Sequence, residues 1–287
     1  MLKFKRVYLE ISNVCNIQCS FCPVVERDNK IMDIEEFEKA LSQVQEFTDE
    51  ICLHLMGEPL AHPKIKEILG LCDESGIKVM ITTNGLLLKR YQELLLNSKC
   101  IRQINFSLQS YKDNFPHKEL RQYLIPLMGF TTLVHEQRED MYINFRLWNY
   151  DVDLGENEEI YTELEKFYDI SIKREVDVGN IKSKKIWNKV YMHFDSRFEW
   201  PDMSLPVLGE QGRCHGMVNH IGIQANGDVV PCCLDKESVI NLGNIFETDL
   251  KSILFSERSI RMREGFKNGR LTEDLCQRCS FITRFSK

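Results

Sequence analysis

Up to residue 173, short apolar runs of strand length alternate with longer stretches whose apolar residues recur every three or four positions. The strand-like runs are RVYLEI (6–11), EICLHLM (50–56), KVMITT (78–83), IRQINFSL (101–108) and MYINFRLW (141–148). Their β-branched and aromatic side chains suit a pleated, half-buried surface. Helix-like stretches cover 62–75, 86–97, 117–137 and 157–168, and an earlier one opens at Asp33. Glu36 stands three residues after Asp33, the spacing of a capping box, and Phe37, Ala40, Leu41 and Val44 continue the helical pattern. Pro126 is expected to kink or divide the 117–137 stretch, since it lacks a donor and its ring crowds the preceding turn. Alternation at this spacing predicts βαβ units, a parallel sheet and right-handed crossovers.

The rhythm breaks over 174–213. A basic run (Lys182, Lys184, Lys185, Lys189) is followed by Trp200-Pro201 and Pro206, which reads as a solvated connector or, alternatively, a binding patch. Turn signals return at Asn226-Gly227 and Gly243-Asn244. The expected division is a domain over 1–173, a connector over 174–205 and a small domain over 206–287. With 43% hydrophobic and 28% charged residues in 287, the chain can bury a sizeable core, which excludes wholesale disorder. The net charge of -6 argues against broad binding to nucleic acid or anionic membrane. No window approaches the ~18 apolar residues of a membrane span, and the first ten residues hold no signal-like run, so a soluble, cytosolic protein is expected.

Eleven cysteines change the picture, because disulfides are disfavoured in the cytosol and clustered thiols there point to metal or catalysis. Cys52, Cys72 and Cys100 lie in apolar surroundings and read as small buried hydrophobes. Cys15, Cys19 and Cys22 directly follow the first strand. Three thiolates this close can hold three irons of a cubane cluster, leaving the fourth iron open to a substrate or cofactor. Zinc is the rival, although it prefers sets that close to four ligands. Cys214, Cys232, Cys276 and Cys279 supply four further thiols, enough for a complete four-thiolate site, with a zinc ribbon as the alternative. Cys233 adjoins Cys232 and is read as a bystander.

CNIQCSFC resembles the C-x3-C-x-Φ-C signature of radical S-adenosylmethionine (SAM) enzymes, with Phe21 in the Φ slot. Its companions are Met56-Gly57-Glu58-Pro59 after the second strand, where the family has a GGEP-like motif, Thr83-Asn84-Gly85 after the third, and Ser107 near the end of the fourth. The resemblance implies an α/β fold, a partial (β/α)6 TIM-like barrel, whose functional residues lie at the C-terminal strand ends. It also implies that Cys15, Cys19 and Cys22 ligate a [4Fe–4S] cluster whose open iron chelates SAM. Gly57, Glu58 and Pro59 would border the SAM amino group, and Phe21 would contact adenine through its backbone. Ser107 and Asn84 would face the ribose or carboxylate, or else simply cap a strand and make a turn. Gly227, five residues before Cys232, with Leu242-Gly243-Asn244 and the closing Cys276-x2-Cys279, resembles the Twitch domain, a shortened SPASM domain.

The Twitch domain of molybdenum-cofactor cyclases leaves one iron open, whereas four cysteines close the site. The spacing here resembles the closed site of the butirosin-pathway aminocyclitol dehydrogenase type. What this implies is an oxidoreductase with two [4Fe–4S] clusters. SAM would be cleaved to a 5′-deoxyadenosyl radical that abstracts hydrogen from a small polar, sugar- or aminocyclitol-like substrate, and the auxiliary cluster would accept an electron. Arg146 on the fifth strand would anchor or help deprotonate the substrate, or form a rim ion pair. Expected partners are the small-molecule or peptide substrate and an electron donor such as flavodoxin or ferredoxin. Peptide maturation, RNA modification and a non-catalytic metal scaffold stand as alternatives. The segments 109–122, 146–156 and 174–213, expected to shape the substrate pocket, match no interpretable motif.

Overall fold

The computed structural model describes residues 2–150, 156–174 and 182–285. Positions 151–155 and 175–181, within segments expected to shape the pocket or connector, lie outside the described residues. The strands are β1 (Arg6–Leu9), β2 (Glu50–Cys52), β3 (Lys78–Thr83), β4 (Ile101–Ser107), β5 (Tyr142–Leu147), β6 (Ser183–Trp187), β7 (Val190–Phe194), β8 (His220–Ile223) and β9 (Val229–Val230). The helices are α1 (Ile34–Val44), α2 (Ile65–Ser75), α3 (Leu88–Asn97), α4 (Gln109–Asn114), α5 (Leu120–Gln137), α6 (Glu156–Tyr168), α7 (Leu250–Leu254), α8 (Glu257–Lys267) and α9 (Asp274–Gln277). No described helix is long and apolar enough to cross a membrane. Two compact units result, one of Met1–Cys15, Pro23–Lys78 and Phe198–Lys287, the other of Asn16–Cys22 and Val79–Arg197.

In the first unit the strand order is β2-β1-β8-β9. β1 runs parallel to both neighbours, with Val7 opposite Ile51 and Ile221, and β9 is antiparallel to β8. Val7, Leu9, Ile51, Ile221 and Ile223 are fully buried, each contributing roughly 1.5–3 kcal/mol. Helix α1 begins where its sequence says it should. The Asp33 carboxylate accepts from Glu36 N at 2.8 Å, and the Glu36 carboxylate accepts from Asp33 N at 2.8 Å. Phe37, Ala40, Leu41 and Val44 form the buried face. Asp33→Ala is expected to cost about 1 kcal/mol, read as a lowered urea midpoint with unchanged slope.

In the second unit the order is β6-β7-β5-β4-β3. β3, β4, β5 and β7 are parallel and β6 is antiparallel to β7. One face is apolar: Ile104, Phe106, Ile143, Phe145, Leu147, Met192 and Phe194 are fully buried. The Phe106 ring meets Phe130 of α5 edge-on at 6.3 Å. The other face is polar, because strand side chains alternate. Gln103, Asn105 and Ser107 stand in register with Tyr142, Asn144 and Arg146, and the last two of these with Tyr191 and His193. Fully buried Asn105 accepts from Gln103 (2.7 Å) and Asn144 (3.0 Å) and donates to Thr82 (3.1 Å).

Two findings depart from the pattern read along the chain. The 174–205 stretch, expected to be a connector, contains β6 and β7, and β7 adds a fourth parallel strand to the second unit beside β5. Its apolar positions, Val190, Met192 and Phe194, alternate with Tyr191 and His193, but the run is short and sits among lysines. Helix α5 runs from Leu120 to Gln137 without dividing at Pro126. The carbonyl freed by that proline belongs to Gln122, which is exposed, so water can satisfy it.

Candidate functional site

In the first unit, the turn after β2 lies against the chain that leaves β1. Gly57 has φ +76°, and a Cβ there would stand 2.3 Å from Ser12 O and 2.9 Å from Val14 O. Only glycine allows the two backbones to approach this closely. Glu58 N donates to Val14 O at 3.0 Å. The buried Glu58 carboxylate turns back to accept from Leu60 N (3.0 Å), capping the short 3-10 turn Pro59–Ala61. Beneath this turn lies Glu10, whose side chain is fully buried. Its carboxylate pairs with Arg27 at 2.7 Å and accepts from Met56 N (3.0 Å) and Ala225 N (3.1 Å). Arg27 also donates to Lys236 O at 2.7 Å. Glu10 thus ties the start of the Met56-Gly57-Glu58-Pro59 turn to the approach to Asn226-Gly227. Cys15 is exposed at the end of this unit's first segment.

In the second unit, α4 holds the segment Asn16–Cys22. Asp113 accepts from both Ser20 N and Ser20 Oγ at 2.5 Å, and Asn114 Oδ1 accepts from Gln18 N at 3.1 Å. The Asn114 amide donates to Cys19 Sγ at 3.2 Å. A hydrogen bond with Cys22, burial and the charge of Cys22 raise the Cys19 thiol, opposed by the Asn114 bond. Half-buried Phe21 lies in the turn between Cys19 and Cys22. Buried Asn84 donates to Asn16 Oδ1 (2.8 Å) and accepts from Leu86 N (3.0 Å) through its own side chain. Its backbone carbonyl accepts from Tyr123 OH at 2.9 Å. The Ser107 carbonyl accepts from Ser110 Oγ at 2.6 Å. Arg146 stacks on Trp148 at 4.7 Å.

The first unit also gathers the later cysteines. Cys214 and Cys232 flank Gly216: a Cβ there would stand 3.6 Å from Cys214 Sγ and 3.4 Å from Cys232 Cβ. Gly216 N approaches Cys214 Sγ at 3.4 Å. Burial pushes the Cys214 thiol up to about 11, with the charge of Cys279 adding to it. Burial also raises Cys232 and Cys276, each further raised by Cys214, and raises Cys279. The loop after Cys232 is pinned by buried Asp235, which accepts from Val239 N and Ile240 N. Helix α9, carrying Cys276, follows its N-cap residue Glu273, which Arg258 holds at 2.6 Å. These thiols thus act on one another electrostatically and offer soft sulfur donors, although among the described residues no three Cys, His, Asp or Glu side chains are arranged to hold a metal ion.

The sequence pattern of the radical SAM superfamily matches residues 9–128, and that of the SPASM iron–sulfur cluster-binding domain matches 214–280. The chain carries a radical SAM domain and a SPASM domain. The chain is 32% identical over 88 residues to the tungsten-containing aldehyde ferredoxin oxidoreductase cofactor-modifying protein of Pyrococcus furiosus, covering 29% of this chain and 25% of that protein. It is 31% identical over 106 residues to a probable GTP 3',8-cyclase of Methanococcus maripaludis, covering 36% and 35%. The alignments thus span a quarter to about a third of these curated relatives. Among solved structures, BtrN in complex with AdoMet and 2-DOIA is similar with a TM-score of 0.62 at 19% identity, covering 98% of this chain and 94% of BtrN. Streptococcus suis SuiB bound to precursor peptide SuiA gives 0.61 at 16%, covering 99% and 71%. These likenesses establish the radical SAM fold, an α/β architecture with parallel strands.

Radical SAM enzymes with a SPASM domain use SAM and [4Fe–4S] clusters, and the donor chemistry here fits both. The four SPASM-region cysteines supply only soft sulfur, and on the radical SAM side the amide of Asn114 reaches the Cys19 sulfur, a contact that tunes such clusters. Reading the sequence missed Glu10, Arg27, Asn114 and His193. Glu10 carried a signal, a carboxylate at the end of an otherwise apolar strand run. Asn114 carried none.

Proposed function

We propose that this radical SAM chain is an oxidoreductase that removes hydrogen from a carbon of a small polar, sugar- or aminocyclitol-like substrate. The observation supporting this reading is the four-cysteine set Cys214, Cys232, Cys276 and Cys279 within the SPASM match, with Cys214 acting electrostatically on Cys232 and Cys276. Four thiolates close a cubane and leave no iron for substrate, which favours electron transfer. In this reading bound SAM supplies a 5′-deoxyadenosyl radical as hydrogen-atom acceptor, and the auxiliary cluster supplies a one-electron sink. Cys15, Cys19 and Cys22 hold the first cluster, and Asn114 orients Cys19. Gly57, Glu58 and Pro59 border SAM, with Phe21, Asn84 and Ser107 as its further contacts. Arg146 anchors the substrate within a polar strand face. Flavodoxin or ferredoxin is the electron donor class.

The test is SAM cleavage under dithionite together with electron paramagnetic resonance of the reduced protein. Two overlapping [4Fe–4S]+ signals are expected in the wild type. A Cys276→Ala/Cys279→Ala variant should keep 5′-deoxyadenosine formation and lose one signal. An unchanged spectrum in that variant would defeat the electron-acceptor reading. A second reading, peptide maturation, draws on the likeness to SuiB, which is bound to a precursor peptide. A cross-linked or epimerised peptide product would favour it.

A further inference from the structure

On the polar face, the row nearest the C-terminal ends of the second unit's parallel strands is Ser107, Arg146 and His193, in register across β4, β5 and β7. This is where a parallel α/β fold places groups that meet ligands. His193 stands on the polar face, while its strand neighbours Met192 and Phe194 are fully buried on the other. Trp148 Nε1 lies 3.1 Å from His193 Nδ1. An indole N–H is a donor only, so His193 Nδ1 must be the acceptor, and a neutral ring then carries its proton on Nε2. Burial, followed by the Arg146 charge, lowers the imidazole to about 4, with Asp195 opposing and Lys182 adding to it. Asp195 in turn pairs with Lys182 at 3.6 Å. The ring is therefore neutral near pH 7, with a fixed tautomer. Among the described residues no hydrogen bond to its Nε2 is present, and His193 is only half-buried. Arg146, its guanidinium carbon 4.7 Å from the centre of the Trp148 ring, adds a permanent cation and further donors. Donors and positive charge meet here, which suits an oxygen carrying negative charge and disfavours an ammonium group.

We propose that His193, through its Nε2–H, and Arg146 together bind an anionic oxygen group, a carboxylate or a phosphate, on the substrate. This rests on the small polar substrate of the proposed function and narrows it: acidic or phosphorylated sugar-like compounds are favoured over amino-bearing ones. His193 is here a substrate-binding residue, and Trp148 positions it.

Two replacements separate the ring's two nitrogens. In His193→Asn the amide oxygen can still accept from Trp148, while the Nε2 donor is lost. In His193→Gln an amide donor reaches the Nε2 position. The cluster-loaded protein with SAM is titrated calorimetrically with glucuronate, glucose 6-phosphate and glucosamine. The expected result is that glucuronate or glucose 6-phosphate binds at least tenfold more tightly than glucosamine, and which of the two binds better tells carboxylate from phosphate. His193→Asn should weaken the preferred anion at least tenfold, and His193→Gln less than threefold. Iron content per chain should match wild type in both variants, so that a loss of binding is read apart from a loss of folding. Equal binding of glucosamine, no binding of either anion, or an unaffected His193→Asn would overturn the proposal. A wild type lacking the second cluster would instead defeat the proposed function, and the anion preference would still be read from the same titration.

Discussion

Glu10→Ala is expected to destabilise the folded chain by about 3–5 kcal/mol, the cost of breaking a buried ion pair by removing one partner. The carboxylate has no exposed surface, and its removal would strand the Arg27 guanidinium together with two N–H groups, those of Met56 and Ala225. Denaturant unfolding of the apo chain would show a lower midpoint. Glu10→Gln should cost less, since the amide oxygen can still accept one of these bonds. If the stability loss were below 1 kcal/mol, Glu10 would not be the tie between the Met56–Pro59 turn and Ala225 that its geometry indicates.

Gly57→Ala carries the second large effect, about 3 kcal/mol or more, from an unfavourable positive φ and backbone overlap. The nearest atoms to the new methyl would be Ser12 O at 2.3 Å, Val14 O at 2.9 Å and Asn13 C at 3.0 Å. None is the end of a flexible side chain, so relief requires the segment leading to Cys15 to move. We expect weaker SAM binding as well as lower stability, measured by equilibrium dialysis and urea unfolding. Gly70 is the control: a Cβ there meets nothing within 4 Å, and Gly70→Ala in the interior of α2 should be neutral or stabilising. Equal behaviour of the two variants would contradict the close-approach account of Gly57.

The comparison of pattern and structure is instructive at particular residues. Strands β1 to β5 were legible because each is an apolar run bounded by turn residues, and α1 was legible because Asp33 and Glu36 form a local capping device. β7 was not, since VYMHF gains its meaning only by pairing with β5, and the lysines around it dominate the local pattern. β8 and β9 are too short for periodicity to register. The two cysteine sets stand out along the chain by their spacing, as candidate ligands. The contacts that orient them do not. Asn114 lies 95 residues from Cys19 and Glu10 lies 215 from Ala225, and no local signal announces either pairing. His193 combines both difficulties, being on an unrecognised strand and defined by a bond to Trp148.

Iron and acid-labile sulfide per chain after anaerobic reconstitution bear most directly on the two-cluster account. Wild type should hold ~8 iron and a Cys15/Cys19/Cys22→Ala variant ~4. A wild type with ~4 iron, a variant with none, and zinc retained in both would contradict it, leaving the second cysteine set structural and the auxiliary electron acceptor without a site.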